Sequence, residues 1–208
     1  MKTLTKEMQD AMTPKMAIDI LKKGNERFVN NLKANRNLLQ QANETSDGQH
    51  PFAIVLSCID SRTSAELIFD QGLGDIFSVR IAGNIANEDI LGSMEFACKV
   101  AGAKAIVVLG HSKCGAIKGA CDDVKLGNLT VLLDKIKPAV NVVRETTPNG
   151  TSADADFVEN VASTNVKLTM KSITDRSPII AEMLQAKEIG MIGGMYHLDS
   201  GMVDFYEM

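Results

Sequence analysis

Two short apolar runs, residues 52–57 (FAIVLS) and 105–109 (AIVVL), constrain the fold most. A strand with one wet face alternates apolar and polar side chains. A continuous run of this length marks a strand covered on both faces, as in a parallel sheet between helices. A third candidate strand, 75–80 (DIFSVR), is set off by Gly72 and Gly74. Helical spacing fills the intervals. Thr13-Pro14 opens a helix over 14–33, in which Ala17, Ile20, Leu21, Gly24 and Phe28 share one face. Asn87 caps a helix over 87–101 that ends at Gly102, and a further helix is expected just after Gly110. Leu132, Leu133, Ile136, Val140 and Val143 predict another, bent near Pro138, followed by helices over 156–175 and 178–186. Residues 188–196 and 202–206, around Asp199-Ser200-Gly201, read as a terminal hairpin. The class is therefore α/β: a mostly parallel sheet with an antiparallel edge strand, flanked by helices, with an N-terminal helical arm.

Length sets the domain count. The 208 residues fit one domain, with the arm over 1–34, a polar stretch over 35–49 and the α/β core over 50–208. The loop at 146–154 (TTPNGTSAD) is a surface loop and not a boundary, because the segment after it would make a poor domain alone. Lys and Arg number 22 against 26 Asp and Glu, a net charge of −4, so neither nucleic acid nor an anionic membrane is expected as partner. No apolar run spans a bilayer, and the charged start MKTLTKEMQD is not a secretory signal; the expected compartment is the cytosol. Four cysteines without an export signal argue against a disulfide framework.

The chemistry gathers where an α/β sheet puts its sites, at the carboxyl ends of strands. The first run leads into Cys58-Ile59-Asp60-Ser61-Arg62, and the run at 105–109 leads into Gly110-His111-Ser112-Lys113-Cys114-Gly115. His111 and Cys114, three apart at a helix start, can face one point, and the helix N-terminus favours a thiolate there. Two thiols and an imidazole suit Zn²⁺, with a fourth position left for water; buried structural cysteines and a core histidine are the alternative. Other chemistries fit less well. Cys58 and Arg62 are too close for a phosphatase loop. Gly110-His111-Ser112-Lys113-Cys114 approaches a nucleophile elbow, but its last position is Cys, and only His50 and His197 could serve Ser112.

C-x-D-x-R followed by H-x-x-C-G resembles the β-class carbonic anhydrases. The resemblance is strongest over residues 49–120. It implies that Cys58, His111 and Cys114 bind one catalytic Zn²⁺ per chain and that Asp60 and Arg62 form the family's dyad. The implied reaction is CO₂ + H₂O ⇌ HCO₃⁻ + H⁺, by attack of zinc-bound hydroxide. In that scheme Asp60 accepts the hydroxide's hydrogen bond, and Arg62 keeps Asp60 off the metal. Two thiolates leave the metal a weaker Lewis acid than three imidazoles would, so activity should lean alkaline. The family's substrate pocket maps onto Gln49, Phe77 and Phe96, with Ala82 in place of its Val. Members with a non-catalytic bicarbonate site carry a Trp where this chain has Val55, while Arg80 matches an Arg found in both kinds. The resemblance therefore implies the plant-like subtype. It also implies a homodimer or homotetramer, with the pocket at the subunit interface and the N-terminal helix wrapping the partner, although the helix over 14–33 equally fits packing on its own subunit. His50 is a candidate proton carrier. Cys98 and Cys121 read as small core residues. A zinc hydrolase acting on CS₂ or COS, or a non-catalytic zinc protein, would carry the same ligands.

Overall fold

A computed structural model describes residues 3–206. Five strands form one sheet in the order β2-β1-β3-β4-β5: β1 Ala53–Ser57, β2 Ile76–Arg80, β3 Ala105–His111, β4 Gly190–Tyr196 and β5 Val203–Tyr206. The first four run parallel, and β5 pairs antiparallel with β4, as the hairpin predicted. β1 and β3 are buried at every position. Successive side chains leave the sheet on opposite faces. Ile54, Leu56, Ile106 and Val108 accordingly enter one core, while Ala53, Val55, Ala105, Val107 and Leu109 enter the other. Both faces are apolar because both are covered.

The larger core lies under α5 Glu88–Glu95, α6 Gly115–Cys121, α8 Lys137–Arg144, α9 Ala155–Arg176 and α10 Pro178–Gln185. α7 Gly127–Asp134 completes this side. The opposite face is covered by α2 Pro14–Val29 and α4 Ala65–Ile68, with α1 Lys6–Asp10 and α3 Leu38–Glu44 nearby. The N-terminal arm therefore packs on its own sheet. Ala17 and Leu21 of α2 are fully buried. Asn25 donates from Nδ2 to the carbonyls of Ile68 (3.2 Å) and Gly201 (2.9 Å), and its Oδ1 accepts from Val203 N (2.9 Å). Asp70, almost buried, clamps the end of the arm between Arg27 and Arg36, both at 2.5 Å.

Four expectations change in detail. α2 stops at Val29, because Asn31 takes a left-handed backbone (φ 53°). The expected helix over 87–101 is α5 followed by a wider turn, Phe96–Val100, closed by Ala101 N to Phe96 O at 2.9 Å. The helix expected to bend near Pro138 is instead two helices, α7 and α8. Pro138 sits in the first turn of α8, where its missing N–H costs nothing, so the chain breaks just before it. The polar stretch over 35–49 contains α3, whose cap is Asn37 and whose anchor is a buried polar residue: Gln41 Oε1 accepts from Leu73 N at 3.3 Å. A helix held by an amide shows no apolar period.

Candidate metal centre

Sheet order 2-1-3 places a topological switch between β1 and β3, and the crevice at their carboxyl ends is where ligands bind in such sheets. Leu56 of β1 stands beside Val108 of β3, so Cys58 and His111 emerge from the same end. β3 runs on to His111, and the next helix, α6, begins only at Gly115, later than the expected start after Gly110. Between them Lys113, at φ 57°, turns the chain back and sets Cys114 at the N-cap of α6. The ligand atoms of Cys58, His111 and Cys114 all lie within 4.8 Å of one another. All three residues are buried, at 4%, 1% and 1% exposure.

Three features show that this trio fits a soft divalent cation. His111 Nδ1 lies 2.9 Å from the carbonyl of Ser112, so Nδ1 carries the proton and Nε2 keeps its lone pair. That Nε2 is buried without a hydrogen-bond partner. The sulfurs of Cys58 and Cys114 stand 3.9 Å apart. The Cys114 thiol donating to Cys58 lowers the Cys58 pKa, and the same contact together with burial pushes Cys114 above the usual thiol range. Two sulfurs this close would repel each other as thiolates, and a bound cation would offset that repulsion.

Asp60 and Arg62 are joined as expected. Arg62 grips both carboxylate oxygens, Nε to Oδ1 at 2.9 Å and Nη2 to Oδ2 at 2.7 Å, and its own amide adds a third bond at 3.0 Å. The Arg62 side-chain bonds hold the Asp60 carboxyl below the ordinary carboxylate range. Asp60 Oδ2 reaches to 4.0 Å from His111 Nε2. The loop carrying these groups is pinned from behind by residues to which the sequence assigned no such part. Arg80 donates to the carbonyls of Cys58 (2.9 Å) and Asp60 (2.5 Å), and Thr63 Oγ1 donates to the same two (3.1 and 2.9 Å). A backbone amide completes the surroundings: Gly83 N donates to Cys58 Sγ at 3.4 Å.

A cavity of about 280 Å³ opens beside Cys58 and Asp60, walled by Ala82, Gly115, Ala116, Gly119, Leu129 and Leu133. Leu129 and Leu133 come from α7, outside the motifs that singled out the site. Gln49, Phe77 and Phe96 are not brought into this cavity within one chain. Gln49 is exposed and His50 half-buried, and both precede β1, so they lie at the amino end of a five-residue strand of about 17 Å, away from Cys58. Phe77 pairs in register with Ile54, four residues before Cys58. It packs edge to face with Phe96 (centroids 6.3 Å apart) beside a separate cavity of about 680 Å³ rimmed by Glu88 and Asp89.

The remaining candidates resolve quietly. Ser112 Oγ accepts from Leu198 N at 3.0 Å, and His197 pairs with Asp204 at 2.9 Å, so no hydrolase dyad forms on Ser112. Cys98 and Cys121 are buried core thiols, pushed up by burial to about 12 and about 11. Val55 is fully buried beneath the sheet.

A family model described as carbonic anhydrase matches residues 53–203, from β1 through β4 with both loops that carry the metal-type donors. The chain belongs to the β-class carbonic anhydrases. Among curated members of the family, a carbonic anhydrase of Mycolicibacterium smegmatis is 35% identical over 198 residues, with 92% of each chain covered. Carbonic anhydrase 2 of Mycobacterium tuberculosis is 36% identical over 200 residues, covering 90% of each. Among solved structures, the β-carbonic anhydrase CcaA aligns with TM-score 0.74 at 27% identity, over 92% of this chain and 86% of that one. A tetrameric β-carbonic anhydrase from Sordaria macrospora aligns with TM-score 0.73 at 25% identity, over 80% and 85%. Carbonic anhydrases are lyases, and no described helix of this member is long and apolar enough to cross a membrane.

Proposed function

We propose that Cys58, His111 and Cys114 hold one Zn²⁺ per chain and that the chain catalyses the reversible hydration of CO₂ to bicarbonate and a proton. The observation that carries this reading is the partnerless, buried Nε2 of His111 set against two sulfurs at the switch point of the sheet. When bound, the zinc supplies the Lewis acidity that makes a water acidic enough to act as a nucleophile near neutral pH. The chain's own groups do the rest. Ser112 O fixes the His111 tautomer. Asp60, ionised, accepts a hydrogen bond from the attacking water and aims its lone pair at the substrate carbon. Arg62 occupies both Asp60 oxygens, fixing that orientation and keeping the carboxylate from closing on the metal. Ala82, Leu129 and Leu133 offer CO₂ an apolar wall that favours it over water.

Gln49, Phe77 and Phe96 serve as substrate-side residues only if they reach a site on another copy. We therefore propose a homodimer, or a homotetramer built from it, in which each copy lends these residues to its partner's cavity. Support comes from the exposure of Phe96 (54%) and from the tetrameric Sordaria relative. Val55 stands where members with a bicarbonate pocket carry Trp, and this favours the plant-like subtype. Free cysteines throughout the described residues suit the cytosol. Stopped-flow CO₂ hydration combined with metal analysis tests the reading, with one zinc per chain and rapid hydration expected. Zinc-loaded protein that leaves CO₂ untouched but hydrolyses CS₂ or COS would replace it.

A further inference from the structure

We infer that Asn165 is a positioning residue for the Cys58 sulfur, acting through the turn that carries Gly83; this rests on the assignment of Cys58, His111 and Cys114 as metal ligands. Asn165 lies on α9, far from the metal motifs in sequence. It is 3% exposed within a stripe formed by Val161, Ala162, Val166 and Met170. An amide in such a stripe persists when a specific partner satisfies it. The partner here is a backbone carbonyl: Asn165 Nδ2 donates to Gly83 O at 2.8 Å. The peptide that bears this carbonyl is held at its other end too, since Asn84 N donates to Ile81 O at 2.9 Å. Together the two bonds lock the turn over 81–84.

Inside that turn Gly83 takes φ 68°, ψ 19°, a left-handed conformation for which glycine is suited. A Cβ there would meet Ile136 Cδ1 at 2.6 Å, so any side chain would also displace that buried methyl group. This conformation sends the Gly83 N–H toward Cys58 Sγ at 3.4 Å. An N–H donating to a thiolate lowers the energy of the sulfur lone pairs and holds the sulfur in one direction. Asn165 thus bears on the metal site without approaching it, as hydrogen-bonded partners of metal ligands do elsewhere. Without its amide the carbonyl of Gly83 is buried unpaired, the turn relaxes, and the N–H leaves the sulfur.

The test uses the full chain, freed of metal with a chelator and reloaded with Co²⁺, which reports sulfur ligation through a sulfur-to-cobalt charge-transfer band. Asn165→Leu keeps the side-chain size and removes the donor; Asn165→Ala removes it without added bulk if the leucine variant fails to fold. Either should move the band to longer wavelength and raise the Zn²⁺ dissociation constant in chelator competition by about 10- to 100-fold. Thr169→Val, one turn along α9 and also buried, perturbs the same face without touching Gly83 and should leave both readouts unchanged. Wild-type band position and affinity in the Asn165 variants, or an equal shift in Thr169→Val, overturn the inference alone. A wild-type chain that takes up cobalt with no such band overturns the metal assignment and this inference with it.

Discussion

The two groups of residues that family resemblance puts in one pocket sit in contrasting places. Cys58, Asp60, His111 and Cys114 converge at the carboxyl ends of neighbouring strands, with the three metal-type donors buried. The Arg80, Thr63 and Gly83 bonds hold the Cys58 loop from behind. Gln49, Phe77 and Phe96 lie toward the other end of the sheet or on its outer edge, and Phe96 is half exposed. The difference separates two tasks. Metal donors must be preorganised within one folded unit, because two thiols and an imidazole cannot be held together without dense hydrogen bonding around them. Residues that only shape a substrate wall carry no such requirement, and a second chain can bring them.

The sharpest way to break this contrast is to remove a donor. His111→Ala should lose nearly all bound zinc and reduce CO₂ hydration to the uncatalysed background, measured by metal analysis and stopped-flow; full zinc content in that variant would refute the ligand set. Next in size comes the orienting carboxylate. Asp60→Asn should keep its zinc and lose about 10²- to 10³-fold in rate, because an amide can donate where the carboxylate only accepts. An unchanged rate in zinc-loaded protein would remove Asp60 from the mechanism. The pairing with Arg62 lowers the Asp60 pKa, so its contribution to stability is complete above about pH 4 and is lost as the pH falls through the lowered value. Asp60 is therefore ionised across the neutral and alkaline range, and the pH profile there should not report it.

A smaller effect probes the other half of the contrast. Phe77→Ala should cost about 10-fold in hydration rate, the scale of a lost apolar pocket contact. Mixing it with His111→Ala and allowing subunits to exchange should restore activity. A mixed dimer then holds one site with an intact metal set from one copy and an intact aromatic wall from the other. Mixtures no more active than the Phe77→Ala protein alone would place the aromatic residues outside any shared site. The smallest expected effect is none. With Val55 in place of the Trp of the bicarbonate pocket, bicarbonate should act as product without cooperative inhibition, and activity should rise with pH along a one-proton curve. A steep, multi-proton loss of activity below about pH 8 would contradict this; the unperturbed histidine range near 6.5 lies below that point.

Much of this was readable from the chain itself. FAIVLS and AIVVL announced strands covered on both faces, and the same strands lead directly into the two loops that carry the donors. The hairpin at the end followed from local spacing, and the Asp60-Arg62 pair from the family resemblance. What escaped was held by polar contacts between segments far apart in the chain. α3 is anchored by Gln41, and Asn25 and Asp70 dock the arm. Arg80 could be matched to the family, but not seen to grip two carbonyls of the Cys58 loop. Leu129 and Leu133 sit on a helix with no motif, and nothing in their spacing tells a cavity wall from an ordinary core face.

The sequence by itself determined which residues can bind a metal and that two buried strands deliver them to one sheet edge. Both are consequences of residue type and of the two-residue period of a strand. Only the tertiary structure decided that the three donor atoms close to within 4.8 Å, that His111 presents Nε2, and that Phe77 and Phe96 face a different cavity. These depend on strand order, on the turn at Lys113 and on how that turn aims the Ser112 carbonyl at the ring. Strand order and the closing of a turn bring together residues far apart in the chain, and such proximity leaves no local pattern to read.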